Sequence, residues 1–193
     1  MYQKLNTKTL YWGFPIVVIS SLNDKNKTDI TPISSIYNVN DSIMIGLNIS
    51  SKAYENIKLN KKAIINIVPD SMWSNIEKIA KYTAKKTNDQ KTKNYIEDKT
   101  KEGNFNLLNS EHEIQFLEGT LLYIVVEYID ELVVNGIANI CFNVKEIYVD
   151  AELLDENNYI LDDKFNILLY QFRKYKKINK ESMGKSFRYV KSN

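Results

Sequence analysis

Between Glu113 and Tyr128 the chain is apolar in both phases of a two-residue period. Ile114, Phe116, Leu122, Ile124, Val126 and Tyr128 share one phase, while Leu117, Leu121, Tyr123 and Val125 occupy the other. Successive side chains of a strand point to opposite faces, so a strand of this kind must be covered on both sides. In a small barrel one side faces the interior, and the other meets a helix or a second subunit. Asn135-Gly136 then signals a turn, and Ala138 to Val149 reads as the last long strand.

The first half of the chain has the same β character. Pro15 to Leu22 is a continuous Val/Ile-rich run, Asn23 to Lys27 a turn, and Thr28 to Ile36 a returning strand. Ser42 to Asn48 alternates, with Ile43, Ile45 and Leu47 on one face and Met44, Gly46 and Asn48 on the other. Pro32 and Gly46 mark places where a sheet bends or where something approaches the backbone closely. Ala63 to Val68 is a further strand, ended by Pro69. Between these strands, Asn48-Ile49-Ser50-Ser51-Lys52 opens a short helix through Ala53, Asn56 and Ile57. Hydroxyls and an ammonium at a helix N-terminus suit a phosphate. The same residues also read as a Ser N-cap followed by a solvated Lys, and both readings stand on these residues alone.

Three segments lie outside the strands. Asp70 or Ser71 is expected to cap a helix whose Met72, Ile76, Ile79, Ala80 and Thr83 share a face. A lysine-rich stretch over 85–105 reads as a partly helical surface excursion. Phe165, Leu168, Leu169 and Phe172 fit the apolar face of a C-terminal helix over 164–177, with Arg173, Lys174, Lys176 and Lys177 outside.

At 193 residues the chain reads as a single domain, 1–193, long enough to bury a core. A formal net charge of +2 gives no argument for nucleic acid. The basic, aromatic C-terminus with Tyr170, Phe172, Tyr175, Phe187, Arg188 and Tyr189 is explained more simply by the helix than by base stacking. No apolar run approaches the ~20 residues of a spanning helix, so no membrane partner is expected. No apolar stretch follows Met1, and cytoplasm is the expected compartment. Cys141 and His112 are each alone, which argues against a disulfide framework, a metal site or a Ser-His-Asp hydrolase. Gly184-Lys185-Ser186 lacks the upstream Gly of a phosphate loop, and no Gly-x-Gly-x-x-Gly occurs.

Several motifs occur in order along most of the chain: Tyr11-Trp12-Gly13-Phe14-Pro15, Ile33-Ser34-Ser35, Ser51-Lys52-Ala53-Tyr54-Glu55-Asn56-Ile57, Ala63-Ile64-Ile65-Asn66-Ile67 and Ile147 to Leu154. Together they resemble the flavin reductase-like family. The resemblance implies a mainly β fold, the antiparallel FMN-binding split β-barrel, with peripheral α-helices. It further implies FMN as cofactor, with NADH or NADPH as electron donor. The expected acceptor is a small molecule or free flavin, and the expected assembly a homodimer with FMN at the interface. By the same resemblance, backbone groups around Thr31, Pro32, Ile33, Ser34 and Ser35 reach the polar edge of the flavin ring. Asn48 and Ser50 line the ribityl chain, and Ser51, Lys52 and Asn56 lie near the phosphate. Ala53 and Tyr54 stand where family members commonly carry Thr. The chemistry would be an NAD(P)H-dependent oxidoreductase carried by the flavin, with no catalytic side chain named. A non-catalytic FMN carrier or sensor, or a barrel that has lost flavin, are the alternatives.

Overall fold

The computed structural model describes residues 1–85, 94–179 and 181–184. In chain order the elements are β1 (Phe14–Pro15), β2 (Val17–Leu22), β3 (Thr28–Ile33), β4 (Ile36–Val39), β5 (Ser42–Asn48), α1 (Lys52–Asn60) and β6 (Lys62–Ile67). There follow α2 (Trp73–Ala80), α3 (Lys99–Gly103), β7 (Leu107–Leu108), β8 (Phe116–Leu117), β9 (Leu122–Val134), β10 (Ile137–Val149), β11 (Leu168–Gln171) and β12 (Lys174–Lys177).

Seven strands make one sheet in the order β3-β2-β6-β9-β10-β5-β4, with every pairing antiparallel. Its two edge strands, β3 and β4, are consecutive in sequence and joined only by Ser34 and Ser35. A sheet whose opposite edges are linked by two residues has to curl until those edges meet, which is how the barrel closes. The inward residues follow the alternation of the sequence. Val17, Ile19, Ile43, Ile45, Leu47, Ile65, Val126, Ile140 and Phe142 fill one interior cluster. Each such side chain contributes roughly 1.5–3 kcal/mol through removal from water. α1 lies across one end and sends Ala53 and Ile57 into the same cluster. The result is the mainly β, antiparallel split barrel with few helices that the resemblance implied.

Outside the barrel, α2 and β11 cover β2 and β3, burying Ile16, Val18, Ile30, Ile76, Ile79 and Leu168 together. The second face of β9 is covered by the chain itself: Ile114 and Phe116 pack on Val125 and Tyr123. Tyr123 stacks between Phe116 at 4.1 Å and Tyr148 at 4.7 Å. That end of β9 therefore needs no second subunit. A different face is left open. Tyr37 (60% exposed), Val39, Leu132 (66%), Val134 and Ile137 stand uncovered on β4, β9 and β10.

Several expectations are corrected. The C-terminal helix over 164–177 is instead the hairpin β11–β12, in which β11 also pairs with β1. Leu168 and Leu169 are adjacent apolar residues on opposite faces of a strand, and such a pair also satisfies a helical stripe. Glu113 to Tyr128 is not one strand: β8 and β9 are separated by a turn at Gly119, whose φ is +75°. The helix after Pro69 begins as a 3-10 turn over Asp70–Met72 with no side-chain cap, and Thr83 lies beyond its end. In the 85–105 excursion α3 is helical, but Lys99 and Gly103 are buried rather than on the surface. Residues 86–93 of that stretch lie outside the described residues, as do Lys185, Ser186, Phe187, Arg188 and Tyr189.

Candidate functional site

The residues singled out in the sequence lie on β3, the β3–β4 corner, the end of β5 and the first half of α1. β5 runs back beside the β3–β4 corner, and the Gly46 N–H donates to the Ser35 carbonyl at 2.8 Å. A Cβ built on Gly46 would meet the Cβ of Ser35 at 3.0 Å. The close approach that Gly46 signalled is therefore the Ser35 corner packing over β5. Pro32 lies on β3, an edge strand that pairs with β2 alone, the kind of strand to which prolines within sheets are largely confined.

Beyond β5 the chain makes a side-chain turn. Asn48 Oδ1 accepts from the Ser50 N–H at 2.9 Å and from the Ser50 hydroxyl at 2.7 Å. Ser51 is the N-cap of α1, and its Oγ accepts from the Tyr54 N–H at 3.2 Å. As at any helix start, the N–H groups of Lys52 and Ala53 have no intrahelical acceptor. Asn48 and Ser50 are exposed, and Ser51 is half-buried.

Lys52 is the one cation among the predicted site residues, and it has company the sequence did not disclose. Its Nζ lies 3.2 Å from Asp24 Oδ1 and 3.8 Å from Glu55 Oε2. Asp24 sits in the β2–β3 turn, and the hydrogen bond from Lys52 holds its carboxyl below the usual range. Glu55 is shared further with Lys85. Asn56 points away from this cluster. It is buried, donating through Nδ2 to Ser21 Oγ at 3.2 Å, and so braces α1 against β2.

Thr31 is joined to the excursion. Lys99 Nζ donates to Thr31 Oγ1 at 2.9 Å and lies 3.1 Å from Asp29 Oδ1. Both charged groups are buried. Desolvation pushes the Asp29 carboxyl up and the Lys99 ammonium down, against the attraction between them. Removing one member would strand the other charge in the interior, so the pair fixes α3 on β3.

Two clefts border β3. The larger, about 970 Å³, is polar in its lining, which includes Asp24, Thr28, Asp29, Lys52, Glu55 and Lys99. The second, about 610 Å³, has Pro32, Ile33, Ser34, Ser35 and Gly46 on one side. Its remaining walls are Tyr11, Trp73, Ile76, Tyr170, Arg173 and Tyr175 among others. The structure thus brings Pro32 to Ser35 together at one cleft and sets Lys52 at the other, with Thr31 directly before Pro32 in the chain. Of the aromatic wall, Tyr11 entered only within a family motif, Tyr170 and Tyr175 only as base-stacking candidates, and Trp73 not at all. Its members come from β1's flank, α2 and the terminal hairpin, and only the tertiary fold unites them.

A family pattern described as the flavin reductase like domain matches residues 12–179 of this chain. The chain belongs to the flavin reductase-like family. Among sequence relatives, the uncharacterized protein YdfE of Bacillus subtilis (strain 168) is 27% identical, covering 97% of this chain and 94% of the relative. Among solved structures, flavoredoxin of Desulfovibrio vulgaris (Miyazaki F) superposes with a TM-score of 0.82 at 15% identity, over 97% of this chain and 98% of the other. The FMN-binding protein of Thermus thermophilus, solved with bound 1-cyclohex-2-enone, gives a TM-score of 0.74 at 11% identity, over 96% and 97% of the two chains. At such identities these structures speak to the fold, and the family pattern carries the membership.

Proposed function

We propose that this protein binds FMN along β3 and the mouth of α1, and that it serves as an NAD(P)H-dependent flavin oxidoreductase. The observation that carries the reading is the family match over residues 12–179, with the Pro32–Ser35 corner packed on β5 and the Ser50–Lys52 helix start following that strand. The ring's polar edge would lie against backbone groups of Thr31, Pro32, Ile33, Ser34 and Ser35. Asn48 and Ser50 would face the ribityl chain. Ser51 and Lys52 would meet the phosphate with the N–H groups of the first helical turn. Asn56, buried against Ser21, would act on the phosphate only by bracing α1.

The fit is good at the hydroxyls and the helix start, and contested at Lys52. A phosphate there must share the ammonium with Asp24 and Glu55. Bound FMN would supply the two-electron hydride chemistry, and the chain's own part is to bind, orient and exclude water. A stacked nicotinamide needs no side-chain acid or base if the rings are held at reacting distance. The name FMN-binding protein, borne by the Thermus thermophilus neighbour, favours FMN as the flavin. The family's flavin theme also fits free flavin or another small molecule as acceptor.

The open apolar face of β4, β9 and β10 supports a homodimer. Apolar area left uncovered on the described surface is removed from water if a second copy meets it. No helix among the described residues is long and apolar enough to cross a membrane. The reading is tested by titrating the protein with FMN and with riboflavin, following the quenching of flavin fluorescence. Tighter binding of FMN than of riboflavin, by about tenfold, is the expected result for a charge-assisted phosphate contact. Equal affinities would remove the phosphate from the α1 mouth, and binding of neither would favour a barrel that has lost flavin.

A further inference from the structure

The second cleft contains a feature that the flavin reading does not use. The tip of the β11–β12 hairpin is Phe172-Arg173, with φ of +47° and +63°. Two left-handed residues in a two-residue hairpin make the turn that favours Asn-Gly, because a side chain at positive φ is disfavoured. Here the positions hold Phe and Arg. The turn is kept in place by the N-terminal segment: the Phe172 N–H donates to the Tyr11 carbonyl at 2.6 Å, and Gln171 Nε2 donates to the Trp12 carbonyl at 3.1 Å. A strained conformation held by its surroundings is a reason to look for a function at that position.

Arg173 lines the cleft, and among the described residues no carboxylate lies within ion-pair distance of it. The cleft lining does include a carboxylate, Glu77, but Glu77 Oε2 accepts from the Tyr175 hydroxyl at 2.7 Å. The wall leading to Arg173 is aromatic. Ring centroids step from Trp73 to Tyr175 at 6.1 Å, from Tyr175 to Tyr170 at 5.9 Å, and from Tyr170 to Tyr11 at 5.2 Å. A volume of about 610 Å³ is ordinary for a small-molecule site.

We propose that the cleft between α2 and the β11–β12 hairpin receives a planar, carboxylate-bearing second substrate, and that Arg173 is the residue that selects it. The aromatic wall stacks the flat part of the molecule. The guanidinium fork, free of any internal carboxylate, takes the substrate carboxylate in paired hydrogen bonds, which an amide of the same shape cannot reproduce. The Pro32–Ser35 side of the cleft is where the proposed function sets the ring edge. Calling this ligand a substrate rests on that reading, whereas the preference for an anion does not.

Trp73 stands in the wall and reports occupancy without any flavin present. In a Trp12→Phe background Trp73 is the sole tryptophan, since the sequence contains two. The probes are 4-nitrobenzoate and 4-nitrobenzamide, which match in shape, differ in charge and quench indole emission. The expected result is saturable quenching by both, with the carboxylate bound about tenfold tighter at neutral pH. Arg173→Gln should abolish that preference and leave the amide's affinity and the affinity for FMN unchanged, and Arg173→Lys should restore part of it. Equal binding of the two probes, a preference that survives Arg173→Gln, or no saturable quenching would overturn the proposal. A preference that depends on Arg173 in a protein that fails to bind FMN would support the anion site and sink only the flavin reading.

Discussion

Lys52 is held between two carboxylates, Asp24 at 3.2 Å and Glu55 at 3.8 Å, and its side chain is only 19% exposed. In the proposed site an FMN phosphate at the α1 mouth would have to compete with them. Lys52→Ala should weaken FMN binding about tenfold while leaving riboflavin unchanged, because only the phosphate feels the ammonium. Asp24→Asn should do the reverse and tighten FMN binding severalfold, again without effect on riboflavin. Fluorescence titration of the two variants checks both, and an Asp24→Asn protein with weakened FMN binding would mean that Lys52 serves the β2–β3 turn instead. The sequence disclosed a Ser cap ahead of Lys52, because capping chemistry is local. It did not disclose Asp24, which lies 28 residues before Lys52 and reaches it only once β2 and β3 have paired. Nor did it disclose the burial of Asn56, whose partner Ser21 is 35 residues away, on a strand whose contact with α1 is tertiary.

At the scale of elements, α1 is fastened to β9 by Glu131. Its Oε1 accepts from Lys58 Nζ and from the Tyr54 hydroxyl, both at 2.9 Å, and Lys58 also reaches the Tyr128 hydroxyl at 3.0 Å. Burial raises the Glu131 carboxyl, but the bonds from Lys58 and Tyr54 outweigh it and leave the group below the usual glutamate value. A carboxylate lowered on folding stabilises the fold above its unfolded pKa and loses that contribution as pH falls through the folded value. Glu131→Gln should therefore cost about 1 kcal/mol at neutral pH. The difference from wild type should hold down to about pH 4.3 and shrink below it. Urea unfolding of both proteins across that range decides the matter, and a gap that widens in acid would contradict the assignment. The β9–β10 pair that carries this anchor was legible from its alternation and from Asn135-Gly136. The β11–β12 hairpin was not, because Leu168, Leu169 and Phe172 satisfy a helical spacing as well as a strand pairing. The left-handed Phe172 and Arg173 carry no Gly or Asn to announce a turn.

For the whole molecule, the split barrel was implied by the ordered family motifs rather than by any single segment. Closure follows from a topological fact, that the edge strands β3 and β4 are joined by two residues. The surface left open by that closure predicts the assembly. Leu132→Glu sets a charge on the exposed face of β9, where a second copy would bury it, and should convert a dimer into a folded monomer in sedimentation at micromolar concentration. A wild-type protein that sediments as a monomer would set the homodimer aside. The claim on which the rest depends is that a nicotinamide can reach FMN held along β3. It is tested most directly by adding NADH and NADPH, under anaerobic conditions, to the FMN-loaded protein and following the flavin absorption band. The account predicts that at least one of them bleaches the band, with turnover once an acceptor is admitted. A band that persists with both would contradict it and leave a carrier or sensor of FMN.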